Sequence, residues 1–261
     1  MPKLLLALVV VAGTILFSAP ATTQTTEQAS SSDTYPDLSG TWAQKVVNTS
    51  VSRIPVVGRV TSVSTAYLLV DIDQNGDQLE LESQACDLQL DSSQEAVRTI
   101  VPPRFVRAMS EQTRTARLLR DGNEVEFVAP RKTTTLGVRL RNPSHERLPT
   151  EPDDARVIDQ DQDGHPGVTL YLRGLVNAEL YVVQRGWDAL RGEVGGDSRI
   201  DGLVTWNTEQ EVLGSTNIFA RSPPDSSPHP DRDRSYFRTT RVDGSTTCSD
   251  LLSRRSQLFG R

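Results

Sequence analysis

The feature that most constrains the fold is the period of two in the apolar runs of the chain. Short stretches rich in Val, Leu, Ile, Thr and Tyr alternate with polar residues, and Gly, Asp, Asn or Pro separates one stretch from the next. Such alternation places every second side chain on one face of an extended strand. The pattern predicts an all-β protein, built as a single antiparallel β-barrel or sandwich. The runs that carry it are TSVSTAYLLVDI, DQLELESQ, NEVEFVAP, TTTLGVRLR, GVTLYLRG, AELYVVQRG, SRIDGLVTW and SYFRTTRVD.

Helical signal is confined to two short segments. PPRFVRAMSEQ begins at Pro102, and its prolines stand where the first turn of a helix accepts them. CSDLLSRRSQLF, at 248–259, is the second segment. We therefore expect one or two short helices beside the strands.

The first part of the chain predicts export. Lys3 is followed by the apolar run LLLALVVVAGTILF, and then by Ala19 and Ala21 at the small-residue positions of a cleavage site. A positive start, a short apolar core and a small-residue exit describe a secretory signal peptide over 1–21. A transmembrane anchor is the alternative, but it requires about 20 apolar residues. The expected product is secreted or periplasmic.

The rest of the chain is expected to hold one folded domain. Residues 22–36 are polar and low in complexity, and they predict a disordered leader. A single β domain is expected over 37–261. The segment 141–157 is rich in proline and charge, and we interpret it as a long surface loop, because neither side of it repeats the other.

Two cysteines, Cys86 and Cys248, predict a disulfide. An exported chain with an even number of cysteines commonly pairs them. The bridge would close a loop of about 160 residues, for which chain entropy predicts a stabilisation of roughly 4–5 kcal/mol. The alternative is a pair of buried free thiols.

Charge excludes one class of partner. The chain has 28 Lys and Arg against 34 Asp and Glu, a formal net charge of −6. A negative chain lacks the electrostatic footprint of a DNA- or RNA-binding protein. After the first apolar run no segment is apolar and long enough to span a membrane, so a soluble product is expected.

One short motif resembles a known family. Gly40-Thr41-Trp42 opens the folded region, and lipocalins and other calycin barrels carry Gly-x-Trp in their first strand. The resemblance implies an up-and-down barrel with an internal cavity for a small apolar ligand. The alternative is a tryptophan that closes one end of a β core, since aromatic residues commonly anchor such cores.

The segment from Asp71 to Glu82 matches the EF-hand calcium pattern in full. Apolar residues alternate with a period of two on both sides of it, whereas an EF-hand requires flanking helices. We therefore predict a β-hairpin with a two-residue turn at Asn75-Gly76. That register places Ile72 opposite Leu79, and Val70 opposite Leu81. It also sets Asp71 opposite Glu80, a like-charge pair that arginines, a cation or solvent must offset.

A second acidic segment, DQDQDGHPG at 159–167, is the better metal candidate. Asp159, Asp161 and Asp163 offer three carboxylates at alternate positions, Gly164 permits a sharp turn, and the carbonyl of His165 is a further candidate ligand. Leu170 stands where an EF-hand has its bidentate glutamate. The acids just upstream, Glu151, Asp153 or Asp154, are the candidates for the missing ligands. Calcium is the expected cofactor, in a structural role, and an empty acidic turn is the alternative.

Signatures of catalysis are missing from the sequence. It contains no G-x-S-x-G, H-E-x-x-H, S-x-x-K, C-x-x-C, Walker or G-x-G-x-x-G motif. The leading hypothesis is a non-catalytic exported β protein that binds an unknown ligand or protein partner, or serves a structural role. One alternative is a lipocalin-like carrier of a small apolar ligand. Another is a secreted hydrolase built on acids or histidines such as Asp188 or His165.

Overall fold

The computed structural model describes residues 35–54, 58–109, 111–221 and 225–260. The predicted signal peptide and residues 22–34 of the predicted leader lie outside the described residues. Besides two single-turn 3₁₀ helices, Ile218–Ala220 and Arg232–Arg234, the chain forms eleven strands and two α-helices within the described ranges. They are β1 (Gly40–Ile54), β2 (Gly58–Asn75), β3 (Gln78–Ser92), β4 (Val97–Ile100), α1 (Pro103–Ala108), β5 (Gln112–Asp121), β6 (Glu124–Leu136), β7 (Val168–Gly174), β8 (Ala178–Val194), β9 (Arg199–Ser215), β10 (Ser226–Pro228), β11 (Tyr236–Arg241) and α2 (Cys248–Phe259).

Eight strands form a closed ring in the order β1, β2, β3, β5, β6, β8, β9 and β11. Strands that are neighbours in the ring are also consecutive in the chain, once β4, β7 and β10, which lie outside the ring, are left out. All of the pairs in the ring are antiparallel. The pairing of β11 with β1 closes the ring, so the predicted all-β fold is confirmed.

The remaining strands extend this ring at its side. β6 pairs with residues 184–193 of β8, and β7 takes over the same edge of β8 at residues 178–182. β4 then pairs with β7, and β10 pairs with β1. The predicted loop at 141–157 contains no strand or helix, as expected. It connects β6 to the acidic segment that precedes β7.

Apolar side chains fill one end of the ring. Trp42 is fully buried there, its indole N–H donates to the carbonyl of Leu38 at 2.8 Å, and the Arg241 guanidinium lies 4.5 Å from its ring centroid. Alternation explains this layer, because every second residue of each strand faces inward. The buried apolar residues of the cluster are Leu38, Trp42, Val70, Ile72, Leu79, Leu81, Ala116, Leu118, Phe127, Ala129, Leu190, Ile200, Val204 and Phe237.

The helix α1 packs at the opposite end. Phe105 and Ala108 are buried in a second apolar cluster, against Leu88 of β3, Leu136 of β6 and Val212 of β9. Register and alternation place these three strand residues on the same inward face as the tryptophan layer. The short helix therefore covers the end of the ring opposite to the one that Trp42 occupies.

The helix α2 lies on the outer face. Its bounds, Cys248–Phe259, match the predicted helical segment. Leu251 and Phe259 pack against Ala43 of β1 and Tyr67 of β2. The Thr247 and Asp250 side chains form a reciprocal capping box that satisfies backbone donors of the first turn. No helix in the described ranges is long and apolar enough to cross a bilayer.

Cys86 and Cys248 lie at disulfide distance, with their Cα atoms 5.1 Å apart. The pair therefore joins the first residue of α2 to β3, across a sequence separation of 162 residues.

The hairpin predicted at Asp71–Glu82 is present, and β2 and β3 are its arms. The predicted register is wrong. Asn75 pairs with Gln78 and Ile72 with Leu81, so the two turn residues are Gly76 and Asp77. Gly76, with φ of 64°, takes the positive φ at the first turn position, as a type II′ turn requires.

The shift in register changes which carboxylates face each other. Asp71 lies opposite Glu82, and Asp73 lies opposite Glu80. Both pairs are exposed. The hydroxyl of Thr41 on β1 donates to Asp71 at 2.6 Å. The like-charge pairing predicted for this hairpin is thus present, with different partners.

Candidate metal centre

The acidic segment forms a closed loop between β6 and β7. Asp159 and Gly167 form an isolated parallel bridge at the two ends of the loop. The N–H of Gln160 donates to the carbonyl of Gly167, and the N–H of Gly167 donates to the carbonyl of Ile158, each at 3.0 Å. The residues between these ends are therefore held in a tight ring of backbone.

The first aspartate fixes the curvature of the loop. One carboxylate oxygen of Asp159 accepts from the N–H of Asp163 at 3.0 Å, and the other accepts from the N–H of Gly164 at 2.8 Å. Gln162 has φ of 57° and is the non-glycine residue with positive φ among those that the structure describes. The cost of that conformation for a residue with a Cβ is of order 1–2 kcal/mol. This unfavourable conformation lies between Asp161 and Asp163, in the part of the loop where the carboxylates converge.

The three predicted carboxylates converge. Asp159, Asp161 and Asp163 each offer an oxygen within 4.8 Å of the others. Asp159 is exposed, whereas the residue Asp161 is 7% exposed and the side chain of Asp163 is 4% exposed. The sequence prediction of a clustered triad is therefore confirmed in its geometry.

Asp161 is the most unusual member of the triad. One of its oxygens accepts from the N–H of Thr169 on β7 at 3.1 Å, and the other is buried without a hydrogen-bond partner among the residues that the structure describes. Burial raises the pKa of Asp161, the hydrogen bond from the N–H of Thr169 opposes this rise, and the neighbouring charges of Asp163 and Asp159 add to it. A buried acceptor that lacks a donor costs roughly 1–3 kcal/mol, and more when it is charged. The site is thus short of positive charge at this oxygen.

Among the described residues, one cation approaches the triad. The guanidinium of Arg104, on α1, lies 3.8 Å from a carboxylate oxygen of Asp163. Its side chain is 42% exposed, so water screens the interaction. A single distant guanidinium leaves most of the negative charge of three carboxylates unbalanced.

His165 lies beside the triad without its imidazole joining it. Its N–H donates to Asp163 at 2.9 Å, and its ring stacks on Tyr181 with centroids 4.2 Å apart. Upstream, Asp154 forms an ion pair with Arg156 at 2.7 Å. Neither Asp154 nor its neighbours Glu151 and Asp153 belong to the cluster of potential metal ligands found among the described residues. Contrary to the expectation, these three upstream acids are not grouped with the triad.

The chemistry of the donor set selects a class of ligand. Carboxylate oxygens without nitrogen or sulfur suit hard cations such as calcium, which accepts irregular arrangements of six to eight oxygens. The unpartnered oxygen of Asp161 is the place where a cation would supply what the protein does not. The residues present therefore fit a hard divalent cation.

Sequence reasoning missed two contacts of the loop. Arg104 and the side chain of Gln160 both connect the loop to α1. Arg104 is distant in sequence, and a glutamine between two aspartates carries no recognisable signal. Both contacts depend on where the fold places α1.

Asp188, named for the hydrolase alternative, lies elsewhere on an inward-facing position of β8. Its carboxylate accepts from the guanidinium of Arg114 at 2.6 Å. Its cross-strand partner is Lys132, whose pKa is lowered by burial and then by the charge of Arg114. Asp188 is thus tied to basic residues rather than to a histidine.

Similarity to known proteins does not extend these observations. No protein-family model matches the chain, and a comparison with curated proteins gives no match.

Proposed function

We propose that this protein is an exported, non-catalytic β protein that binds calcium in the loop 159–167 and uses the ion for stability. The ion would sit among Asp159, Asp161 and Asp163, with further oxygens from backbone or water. Its role is structural, since the three carboxylates face one another inside a closed turn.

One observation carries the proposal. The unpartnered oxygen of Asp161 is buried among three converging carboxylates, so the ion-free loop holds repulsion that a divalent cation relieves. Protonation of Asp161 is the competing remedy, which its raised pKa reflects. Calcium relieves the charge of all three residues, whereas one proton relieves that of one.

One feature of the structure supports export, and the proposed site is compatible with it. The cysteines at disulfide distance are typical of oxidising compartments, where such bridges persist. Calcium reaches millimolar concentrations outside cells, and sites with dissociation constants of about 10⁻⁴–10⁻³ M are common in extracellular modules. A loop with few protein ligands would be filled under those conditions.

Thermal unfolding in excess chelator and in calcium tests the proposal. At a calcium concentration about 100 times the dissociation constant, the free energy of unfolding should rise by about 2.7 kcal/mol. For a domain of this size that corresponds to a rise in Tm of roughly 5–10 °C. Asp161→Asn should abolish the rise, and in chelator it should melt no lower than wild type, because it removes a buried charge.

The hairpin offers a matched control. Asp73 belongs to the other calcium-like pattern but lies exposed on a strand. Asp73→Asn should keep the full response to calcium. A calcium response that survives in Asp161→Asn, or that is missing from wild type, contradicts the proposal.

The two alternative functions stay predictions. A carrier of small apolar ligands is favoured by the closed ring of strands together with the Gly-x-Trp sequence at 40–42. The layer around Trp42 is filled with side chains, so a ligand would have to lie nearer α1. The environments of Asp188 and His165 do not favour the hydrolase alternative in the same way, because Asp188 pairs with Arg114 and His165 stacks on Tyr181.

A further inference from the structure

The cation loop contacts the helix that stops one end of the ring. The side chain of Gln160, between two of the aspartates, bonds to the helix through its amide nitrogen and to the end of β6 through its amide oxygen. Its amide nitrogen donates to the carbonyl of Ala108, the last residue of α1, at 2.6 Å. Its amide oxygen accepts from the N–H of Gly137, just beyond β6, at 2.7 Å. One side chain thus joins the loop, the helix and the ring.

This contact satisfies a group that the helix cannot satisfy itself. The last carbonyls of any helix lack intrahelical partners, and in a helix of six residues they form a large share of the total. At this terminus Gln160 donates the hydrogen bond that the carbonyl of Ala108 would otherwise lack. A six-residue helix is too short to be stable alone, so its stability comes from such contacts and from packing.

A second contact reaches the start of the same helix. Arg104 lies in the first turn of α1, and its guanidinium lies 3.8 Å from Asp163 of the loop. Both ends of α1 are therefore attached to the segment that carries the three carboxylates. Displacement of the helix would break both attachments, and the curvature of the loop would then depend only on hydrogen bonds that do not involve α1.

We propose that calcium bound in the loop locks α1 into the end of the ring, and that its removal lets the helix open. The inference rests on the proposed calcium site and adds a conformational consequence to it. Binding and closure are linked, because an ion that stabilises the curved loop also stabilises whatever requires that loop. Opening of α1 would give access to the inward-facing Gln184, Trp206 and Gln210 deeper in the ring.

Hydrogen exchange of the amides of residues 104–109 tests the proposal, compared in chelator and in calcium. With calcium about 100 times above the dissociation constant, any opening that destroys the site becomes about 100-fold rarer. The amides of α1 should therefore exchange up to 100-fold more slowly in calcium. The amides of α2, on the outer face of the ring, report whether the slowing is local.

Gln160→Ala tests the contact between the loop and α1 separately from the ion site, because it removes the hydrogen bond to the carbonyl of Ala108. The variant keeps all three aspartates, so it should still bind calcium in a calorimetric titration. With calcium again set about 100 times above its own dissociation constant, α1 should lose most of its protection. Gln78→Ala, at an exposed position of β3, is the control and should behave as wild type.

Each outcome distinguishes the two proposals. If wild type binds calcium but α1 exchanges at the same rate with and without it, the lock is wrong and the calcium site stands. If wild type shows no heat of calcium binding, both fail. If calcium slows the exchange of the α1 amides equally in wild type and in Gln160→Ala, the hydrogen bond from Gln160 to Ala108 does not connect the ion to the helix. If Gln160→Ala does not fold, the comparison within wild type still decides whether calcium controls α1.

Discussion

At the scale of single residues, two aspartates show how environment sets the behaviour of one side chain. Asp161 is buried and lacks a partner for one oxygen, so burial raises its pKa. Asp154 accepts both side-chain and backbone hydrogen bonds from Arg156, which lower its pKa to about 2. The first residue is an energetic cost that an ion can remove, and the second is a contribution to stability at neutral pH.

Asp154 leads to a prediction for acid unfolding. Its folded pKa of about 2 lies below the ordinary value of 3.8, so the unfolded chain takes up the proton first as pH falls. The stability that it contributes is therefore complete above about pH 4 and is lost between about pH 4 and pH 2. Asp154→Asn should flatten the pH dependence of the free energy of unfolding in that window. Denaturant titrations at several pH values measure it.

Asp153→Asn, at the exposed neighbouring position, is the control for that experiment. It should follow the wild-type curve. If Asp154→Asn loses stability between pH 4 and pH 2 as steeply as wild type, the ion pair with Arg156 does not contribute to acid sensitivity.

At the scale of elements, the hairpin turn between β2 and β3 depends on the backbone of one glycine. Gly76 has φ of 64°, and a Cβ added there would meet no atom within 4 Å. Gly76→Ala should therefore cost about 1–2 kcal/mol through backbone strain alone. Thermal unfolding should show a decrease in Tm of roughly 2–8 °C in a domain of this size.

Gly244 provides the comparison, since it also lies in a turn but without positive φ, and an added Cβ would make ordinary contact with Thr41. Gly244→Ala should leave the Tm close to that of wild type or raise it slightly. Equal destabilisation by the two substitutions would mean that strain at Gly76 is not the cause.

Local patterns predicted the elements better than their pairing. The bounds of α2 follow from its sequence, since Thr247 and Asp250 form a capping box before an amphipathic run. The register of the β2–β3 hairpin was missed for a physical reason. Moving the turn by one residue shifts the pairing by two, so Ile72 and Leu81 stay on the inner face in either register. Alternation alone cannot distinguish the two.

Contacts between distant segments were beyond the sequence. The triad at Asp159, Asp161 and Asp163 was predictable because its members are neighbours in one turn. The approach of Arg104 and Gln160 depends on α1 lying at the end of the ring. Ring closure itself depends on strands that are far apart in the chain, such as β1 and β11.

At the scale of the whole molecule, the disulfide connects the outer helix to the ring. Cys86 and Cys248 are separated by 162 residues, so the bridge restricts most of the unfolded chain. Its removal should cost about 4–5 kcal/mol by loop entropy. That loss corresponds to a decrease in Tm of roughly 8–20 °C.

Calorimetry with and without reductant measures that loss, and the double variant Cys86→Ser, Cys248→Ser repeats it without reductant. The calcium response should persist in both cases, because neither cysteine touches the loop 159–167. Identical melting of oxidised and reduced protein would remove the bridge from the account of stability.

The pairing of β1 with β11 also determines when the ring can close, because the two strands are made far apart in time. β1 leaves the ribosome early, yet the partner on one of its long edges is made almost 200 residues later: Gln44 meets Thr239 across a separation of 195 residues. Until then β1 and β9 each present an unpaired edge, which is a template for association with other chains. Contacts so distant in sequence also slow folding. Without β11 the sheet is therefore open at both of these edges, and only the pairing of β11 with β1 and β9 removes them.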